Sequence, residues 1–256
     1  MKFTFPDSIS IDTTQSLGFI MVKALTIDCR DCGLGQLPSF KNCPYLEELH
    51  CSDNEIIHLE IDNCPRLKII DCRNCGLESL KISGCPELRK LICRKNNLTR
   101  LPAGMKLSYL DCSSNQLQAI PSMNKINKLF CDDNQIVSLL PMKRVKELSC
   151  SNNLIVSLPP MLRLKKLSCF RNQLRALPHP NELPKMKHLN CSYNRLHGIA
   201  KYPKMKVCDC FGNNIRSVSA AKIAGRKNVQ VSNVDYPWWL INLFYKINLL
   251  IYKIIL

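Results

Sequence analysis

The most reactive chemistry in this sequence is its sixteen cysteines among 256 residues. Cys29-x-x-Cys32 and Cys72-x-x-Cys75 have the spacing of a zinc-ribbon ligand set. Cys208-Asp209-Cys210 has the form of a Cys-x-Asp catalytic pair. The histidines His50, His58, His179, His188 and His197 are candidate bases or ligands. None stands in a suggestive relation to a Ser or Cys nucleophile, and there is no Gly-rich phosphate loop or paired-metal signature. What these groups can do depends on the elements that hold them.

Those elements are repeats. The segments beginning at Ile126, Val145 and Leu164 read INKLFCDDNQIVSL, VKELSCSNNLIVSL and LKKLSCFRNQLRAL. They share one template: apolar, two free, apolar, one free, Cys, two free, Asn, one free, apolar, two free, apolar. The Asn position recurs at Cys32, Asn54, Cys75, Asn96, Asn115, Asn134, Asn153, Asn172, Asn194 and Asn213, which makes ten repeats spaced by 19 to 22 residues. A fixed period of this size is the mark of a stacked-repeat architecture. Within each unit L-x-C alternates with period 2, which predicts a short strand with Leu and Cys pointing inward. Identical strands side by side make a parallel sheet. The Asn turns the chain, and its buried side chain can satisfy backbone groups left unpaired by a tight turn. Pro38, Pro102, Pro121, Pro159 and Pro178 follow the last apolar residue of their repeats. With about five residues left before the next unit, the return is too short for a helix and is expected to be extended.

The pattern L-x-x-L-x-C-x-x-N-x-L-x-x-L resembles the leucine-rich-repeat family over residues 24 to 218. The short units with Leu-Pro endings are similar to bacterial types, including those of secreted effectors from intracellular pathogens. The resemblance implies a curved, mostly β solenoid of the α/β repeat class, with a concave parallel sheet and a role in binding proteins. The expected organisation is an N-terminal cap over residues 1–23, repeats over 24–218, and a C-terminal cap with an amphipathic helix over 219–256.

The frame accounts for the cysteines. Ten hold one template position: Cys29, Cys51, Cys72, Cys93, Cys112, Cys131, Cys150, Cys169, Cys191 and Cys210. Cys43, Cys64 and Cys85 each precede a proline at intervals of 21. Cys32 and Cys75 replace Asn, and Cys208 takes an apolar position. All are expected as small buried hydrophobes. The two Cys-x-x-Cys pairs fall two repeats apart, so with strands ~4.8 Å apart they lie on the order of 10 Å from each other. Zinc needs sulfur at about 2.3 Å. No metal and no cofactor is expected, and no enzymatic activity. Free thiols in this number point to a reducing compartment such as the cytosol, the host cytosol for an effector. The start, MKFTFPDSISIDTTQSLGFIM, carries Pro6, Asp7 and Asp12 where a signal peptide needs an apolar run.

Two surface patterns remain. The sheet positions on either side of the inward Cys point outward, and there the sequence places Asp71, Ile92, Asp111, Phe130, Arg94, Asp132, Phe170 and Phe211. Exposed Ile92, Phe130, Phe170 and Phe211 serve no core and have the composition of interface anchors. Nine residues ahead of the Asn position stand Arg66, Lys106, Lys125, Arg144, Arg163, Lys185 and Lys204; seven ahead stand Lys68, Arg89, Lys146, Lys165, Lys187 and Lys206. Stacking makes these a basic ridge along one sheet edge. The chain's formal charge of +16 agrees with an acidic partner or with solubility alone. From Tyr236 the chain reads YPWWLINLFYKINLLIYKIIL, and Asn242, Lys246 and Lys253 fall on one narrow stripe of a helix. Trp238, Trp239, Phe244 and Lys246 thus belong either to a cap over the last repeat or to an interfacial membrane helix. The expected function is recognition of a partner protein by a monomer through its concave sheet. The alternative is peripheral binding to an anionic membrane through the ridge and tail. Nucleic acid is the weaker candidate, because the aromatics lie away from the basic ridge.

Overall fold

Leu148 and Cys150 are buried while Ser149 between them is not, and this alternation recurs down the chain. The computed structural model describes residues 2–4, 23–37 and 40–215. Its strands among the described residues are β1 (Lys2–Thr4), β2 (Thr26–Asp28), β3 (Phe40–Lys41), β4 (Glu48–His50), β5 (His58–Asp62), β6 (Ile69–Asp71), β7 (Ser79–Ser83), β8 (Lys90–Ile92), β9 (Tyr109–Asp111), β10 (Lys128–Phe130), β11 (Glu147–Ser149), β12 (Lys166–Ser168), β13 (His188–Asn190) and β14 (Val207–Asp209). Eleven of them form one sheet in the order β1-β2-β4-β6-β8-β9-β10-β11-β12-β13-β14. Every pair in it is parallel and aligned template on template, as in Leu129↔Leu148 and Leu148↔Leu167. Ten of these strands, joined by nine turns of solenoid, belong to the ten repeats. β1 adds one strand beyond the first of them, pairing Lys2 with Thr26. The rest of the expected N-terminal cap lies outside the described residues. So does the expected C-terminal helix with Trp238, Trp239, Phe244 and Lys246.

The core is a stack of columns. The strand column runs Ile27, Leu49, Ile70, Leu91, Leu110, Leu129, Leu148, Leu167, Leu189, Cys208, and each member is at most 3% exposed. Behind it the ten template cysteines are 0–2% exposed. Burying such side chains contributes roughly 1.5–3 kcal/mol each for the larger aliphatics. Because every column continues through the stack, each repeat covers the core of its neighbours.

The expected extended return holds in the later repeats, but the first three behave differently. There β3, β5 and β7 form a second parallel sheet on the opposite side of the solenoid. The sixth residue after the Asn position contributes to the difference but does not decide it alone, since Pro38 holds it in the first repeat, whose β3 starts beyond it, and Leu140 and Ala200 hold it in two later units. It is Glu60 or Lys81 inside β5 and β7, and Pro102, Pro121, Pro159 or Pro178 in later units. Proline has no N–H for a ladder, so those returns stay single. The second sheet ends each strand on a left-handed residue, Asn42 (φ 57°), Asn63 (φ 52°) or Gly84 (φ 63°). A Cβ on Gly84 would come within 2.7 Å of the Asn63 backbone, so the third turn admits only glycine.

The turn after each main strand is uniform. The residue before the Asn position has φ between 51° and 64° in all ten repeats, from Asp31 to Gly212. Nine of these are not glycine, and the conformation is costly for an L-residue. The buried Asn holds it. Asn96 Nδ2 donates to the carbonyls of Cys93 (3.0 Å) and Cys72 (2.9 Å), and its Oδ1 accepts from the Leu77 N–H (2.9 Å). The same set recurs from Asn54 to Asn213. Where Cys75 replaces Asn, its thiol donates to the Cys51 carbonyl at 3.0 Å and keeps one link of the chain.

Candidate functional site

In-register stacking turns single positions into lines across the outward face of the large sheet. The positions flanking the inward cysteines behave in two ways. Near the N-terminal end they are polar and paired. Asp28 and Arg30 bond side chain to side chain at 2.8 Å, and Asp71 and Arg73 at 2.9 Å. His50 bonds Glu48 at 3.0 Å. Asp71 was expected to be open on this face but is 5% exposed. Its position on the sheet is the outward one, and the Arg73 guanidinium lies over it. Ile92, Arg94 and Asp111 are half-buried. Asp132 is half-buried as well, accepting from the Ser149 hydroxyl (2.7 Å) and the Ser151 N–H (2.6 Å). Burial pushes its carboxyl above the usual range, and these hydrogen bonds pull the other way.

The aromatics are on the outward face, yet they are half-buried rather than fully exposed. They cover one another. Phe130 packs on Tyr109 with ring centres 5.6 Å apart, and Lys90 Nζ lies 5.4 Å from the centre of the Tyr109 ring. Phe170 meets Tyr193 edge-on at 5.2 Å, and Tyr193 meets Phe211 at 5.2 Å. Arg171 spans the first pair, 5.7 Å from the Phe170 centre and 5.9 Å from that of Tyr193. Edge-to-face rings at this separation attract beyond their buried area, and the guanidinium adds a cation–π contact. Tyr109, Arg171 and Tyr193 were not among the residues expected from sequence. A signal existed for Tyr193: it fills the left-handed position, φ 54°, where most other repeats place a small polar residue. Beneath it, a Cβ on Gly212 would meet the Tyr193 ring at 2.8 Å. The glycine makes room for the ring.

The expected ridge residues lie mostly in the open. Lys106, Lys125, Arg144, Lys146, Arg163, Lys165, Lys185, Lys204 and Lys206 are exposed and Lys187 is half-buried. Its N-terminal members are answered by acids: Lys68 by Glu47 at 2.7 Å and Arg89 by Glu87 at 3.0 Å. Farther along, Glu147 is shared by Lys128 and Lys166 at 3.2 and 3.6 Å. Among the described residues none of the ten cations from Lys106 to Lys206 has a carboxylate within 4.0 Å.

The cysteines form no disulfide among the described residues. Cys29 and Cys72 are buried and donate to the carbonyls of His50 and Ile92 at 3.5 Å, each in the following repeat. Burial pushes the Cys29 thiol up to about 12. Cys208 and Cys210 both face inward. Two cysteines depart from the expectation of full burial. Cys32 and Cys85 are half-buried, because Cys32 belongs to the first repeat and Cys85 is the last of its stack. No group of three His, Cys, Asp or Glu side chains among the described residues is arranged to hold a metal ion.

No protein-family model and no curated protein matches the sequence. Solved structures do match the fold. The functional domain of InlJ from Listeria monocytogenes, which includes a cysteine ladder, superposes with a TM-score of 0.72 at 23% identity, over 82% of this chain and 49% of that one. YopM, a leucine-rich effector protein from Yersinia pestis, gives 0.67 at 23% identity, over 82% of this chain and 60% of that one. The chain thus spans about half the length of the first and three-fifths of the second. With one short parallel strand and one buried Cys per unit, and a turn Asn in eight of the ten, it folds as a leucine-rich-repeat solenoid.

Proposed function

We propose that the outward face of the large sheet recognises a partner protein, and that Phe170, Tyr193 and Phe211 with Arg171 form its anchor. The observation that carries this reading is the packing of three aromatic rings and a guanidinium where no core requires them. Aromatic and Arg side chains in a half-covered cluster are the usual energetic centre of an interface. Phe130 on Tyr109 forms a second, smaller anchor four repeats ahead of Phe211. The working context is that of an effector in a host cytosol, a reading supported by sixteen cysteines that form no disulfide among the described residues and by the likeness to YopM, which is itself named an effector. The decisive measurement compares wild type with Phe170→Ala and Phe211→Ala in cross-linking to a specific bound protein. Unchanged melting with binding weakened by about 1 kcal/mol or more per ring is the expected result. A large loss of stability with retained binding would show that the rings serve folding alone.

A second reading is favoured by the unpaired cations of the ridge: attachment to an anionic membrane, helped by residues 236–256. No helix of the described residues is long and apolar enough to cross a membrane, and an interfacial helix needs no such length. Deleting residues 236–256 separates the readings. A truncated protein that melts as before and no longer pellets with anionic vesicles supports the membrane; one that melts lower supports a cap.

A further inference from the structure

The positive charge is confined to one end of the solenoid. Over residues 24–134 fourteen Lys and Arg face fourteen Asp and Glu, whereas residues 135–215 hold fourteen Lys and Arg against three acids, a net charge of +11. Eight of those fourteen form two adjacent rows. One row is Lys146, Lys165, Lys187 and Lys206. The other, two residues upstream, is Arg144, Arg163, Lys185 and Lys204. The backbone fixes the register of the first row. The Lys165 N–H donates to the Lys146 carbonyl (2.8 Å), Lys187 to Lys165 (2.8 Å) and Lys206 to Lys187 (2.7 Å). Consecutive lysines therefore stand one strand spacing apart, ~4.8 Å, and four of them cover ~14 Å. Like charges at this spacing repel, and an anionic partner relieves the repulsion.

We propose that this track seats an acidic α-helix of the partner protein, lying along the solenoid axis. The pitch selects the helix. At a rise of about 1.5 Å per residue, carboxylates at i, i+3, i+7 and i+10 share one helical face, recur about every 5 Å and cover about 15 Å. An extended segment presents same-face side chains every ~6.7 Å and falls out of step after two repeats. The second row widens the track, so carboxylates at i+4 also find a cation. A single-stranded nucleic acid is disfavoured by the place of the aromatics. Phe170 and Phe211 stand five residues along the chain from Lys165 and Lys206, roughly 16 Å away, so Arg171 lies on the rings but the two rows of ridge cations do not alternate with them. A protein can reach both, with an acidic helix on the edge and an apolar side chain at the aromatic cluster. The inference rests on the reading of the sheet as a protein-recognition face.

The test uses the full chain and two labelled peptides of equal composition and helicity. One carries Glu on a single face at i, i+3, i+7 and i+10; the other spreads the same Glu residues around the helix. At low salt the one-face peptide is expected to bind roughly tenfold more tightly, as a charge-complementary contact should. Lys146→Glu, Lys165→Glu, Lys187→Glu and Lys206→Glu combined should abolish that binding. The control combination Lys41→Glu, Lys95→Glu, Arg100→Glu and Arg175→Glu has the same net charge and should retain it. If the four ridge reversals unfold the chain, four Lys→Gln changes take their place. Equal affinity for the two peptides overturns the proposal, and so does tighter binding of a single-stranded oligonucleotide or of phosphatidylserine vesicles. If the peptides fail while Phe170→Ala still loses the bound partner, the acidic helix is excluded and the recognition face stands.

Discussion

Asn153 Nδ2 donates to the carbonyl of Cys131, one repeat earlier, at 2.9 Å. The same side chain accepts from the Ile136 N–H at 2.9 Å, so it ties strand, turn and neighbouring repeat together. Its other bonds, to Cys150 (3.2 Å) and Ser151 (3.0 Å), close its own turn around Asn152, whose φ is 52°. No protein group within the turn can replace it.

Asn153→Ala is therefore expected to destabilise the solenoid by about 3 kcal/mol, because buried backbone donors and acceptors lose their partner. Gln135→Ala, at the exposed position after Asn134, should change stability by less than about 0.5 kcal/mol. Urea unfolding of the two variants checks the difference. Equal effects would mean that the Asn column is not what holds the turns.

Gly212 and Gly33 separate backbone strain from ring packing. Both have positive φ, 64° and 63°, but only Gly212 has a side chain in the way, the Tyr193 ring at 2.8 Å. Gly33→Ala should cost about 1 kcal/mol from conformation alone. Gly212→Ala should cost visibly more, and Tyr193→Ala in the same chain should restore most of the excess. A double variant no better than Gly212→Ala would show that the ring does not depend on that glycine.

The repeat frame was legible because its physical causes are local. Period-2 burial at Leu148 and Cys150 and a turn Asn at 153 recur with little variation, so strand order and register follow from counting. The second sheet was legible only in part: Glu60 and Lys81 stand where four later units have Pro, but Pro38 stands there in the first repeat, which joins that sheet as well. Burial on the outward face was harder to read. Asp71 is covered by the reach of Arg73, and Phe170 and Phe211 are half-covered by Tyr193. These contacts join different columns, and a column-by-column reading does not see them. The ridge was visible as spacing, while its unpaired half depends on where carboxylates do not reach.

Thiol reactivity should follow the same geometry. Cys32 and Cys85 are half-buried and the other fourteen cysteines are buried. A thiol reagent at neutral pH is expected to label Cys32 and Cys85 first, and the remainder only on the timescale of opening or unfolding. Mass spectrometry of digested, time-quenched samples reads the order. Labelling of Cys131 or Cys150 as fast as Cys32 would contradict the inward column.

The column also sets the response to alkali. Burial pushes Cys29 up to about 12 and holds Cys72, Cys112, Cys131 and Cys169 well above the ordinary thiol range. In the unfolded chain these thiols ionise near pH 8.5. Their folded values are raised, so their contribution is fully present below about pH 8.5 and is lost progressively as pH rises above it. In that window the unfolded state holds fewer protons, and each thiol removes about 1.4 kcal/mol of stability per pH unit. Stability is expected to fall steadily above about pH 8.5, and urea titrations at rising pH follow the loss. Replacing Cys131 by Ala removes one ionisable core group and should make that loss visibly less steep, whatever it costs in packing. A slope unchanged by Cys131→Ala would assign the alkaline loss to groups outside the cysteine column.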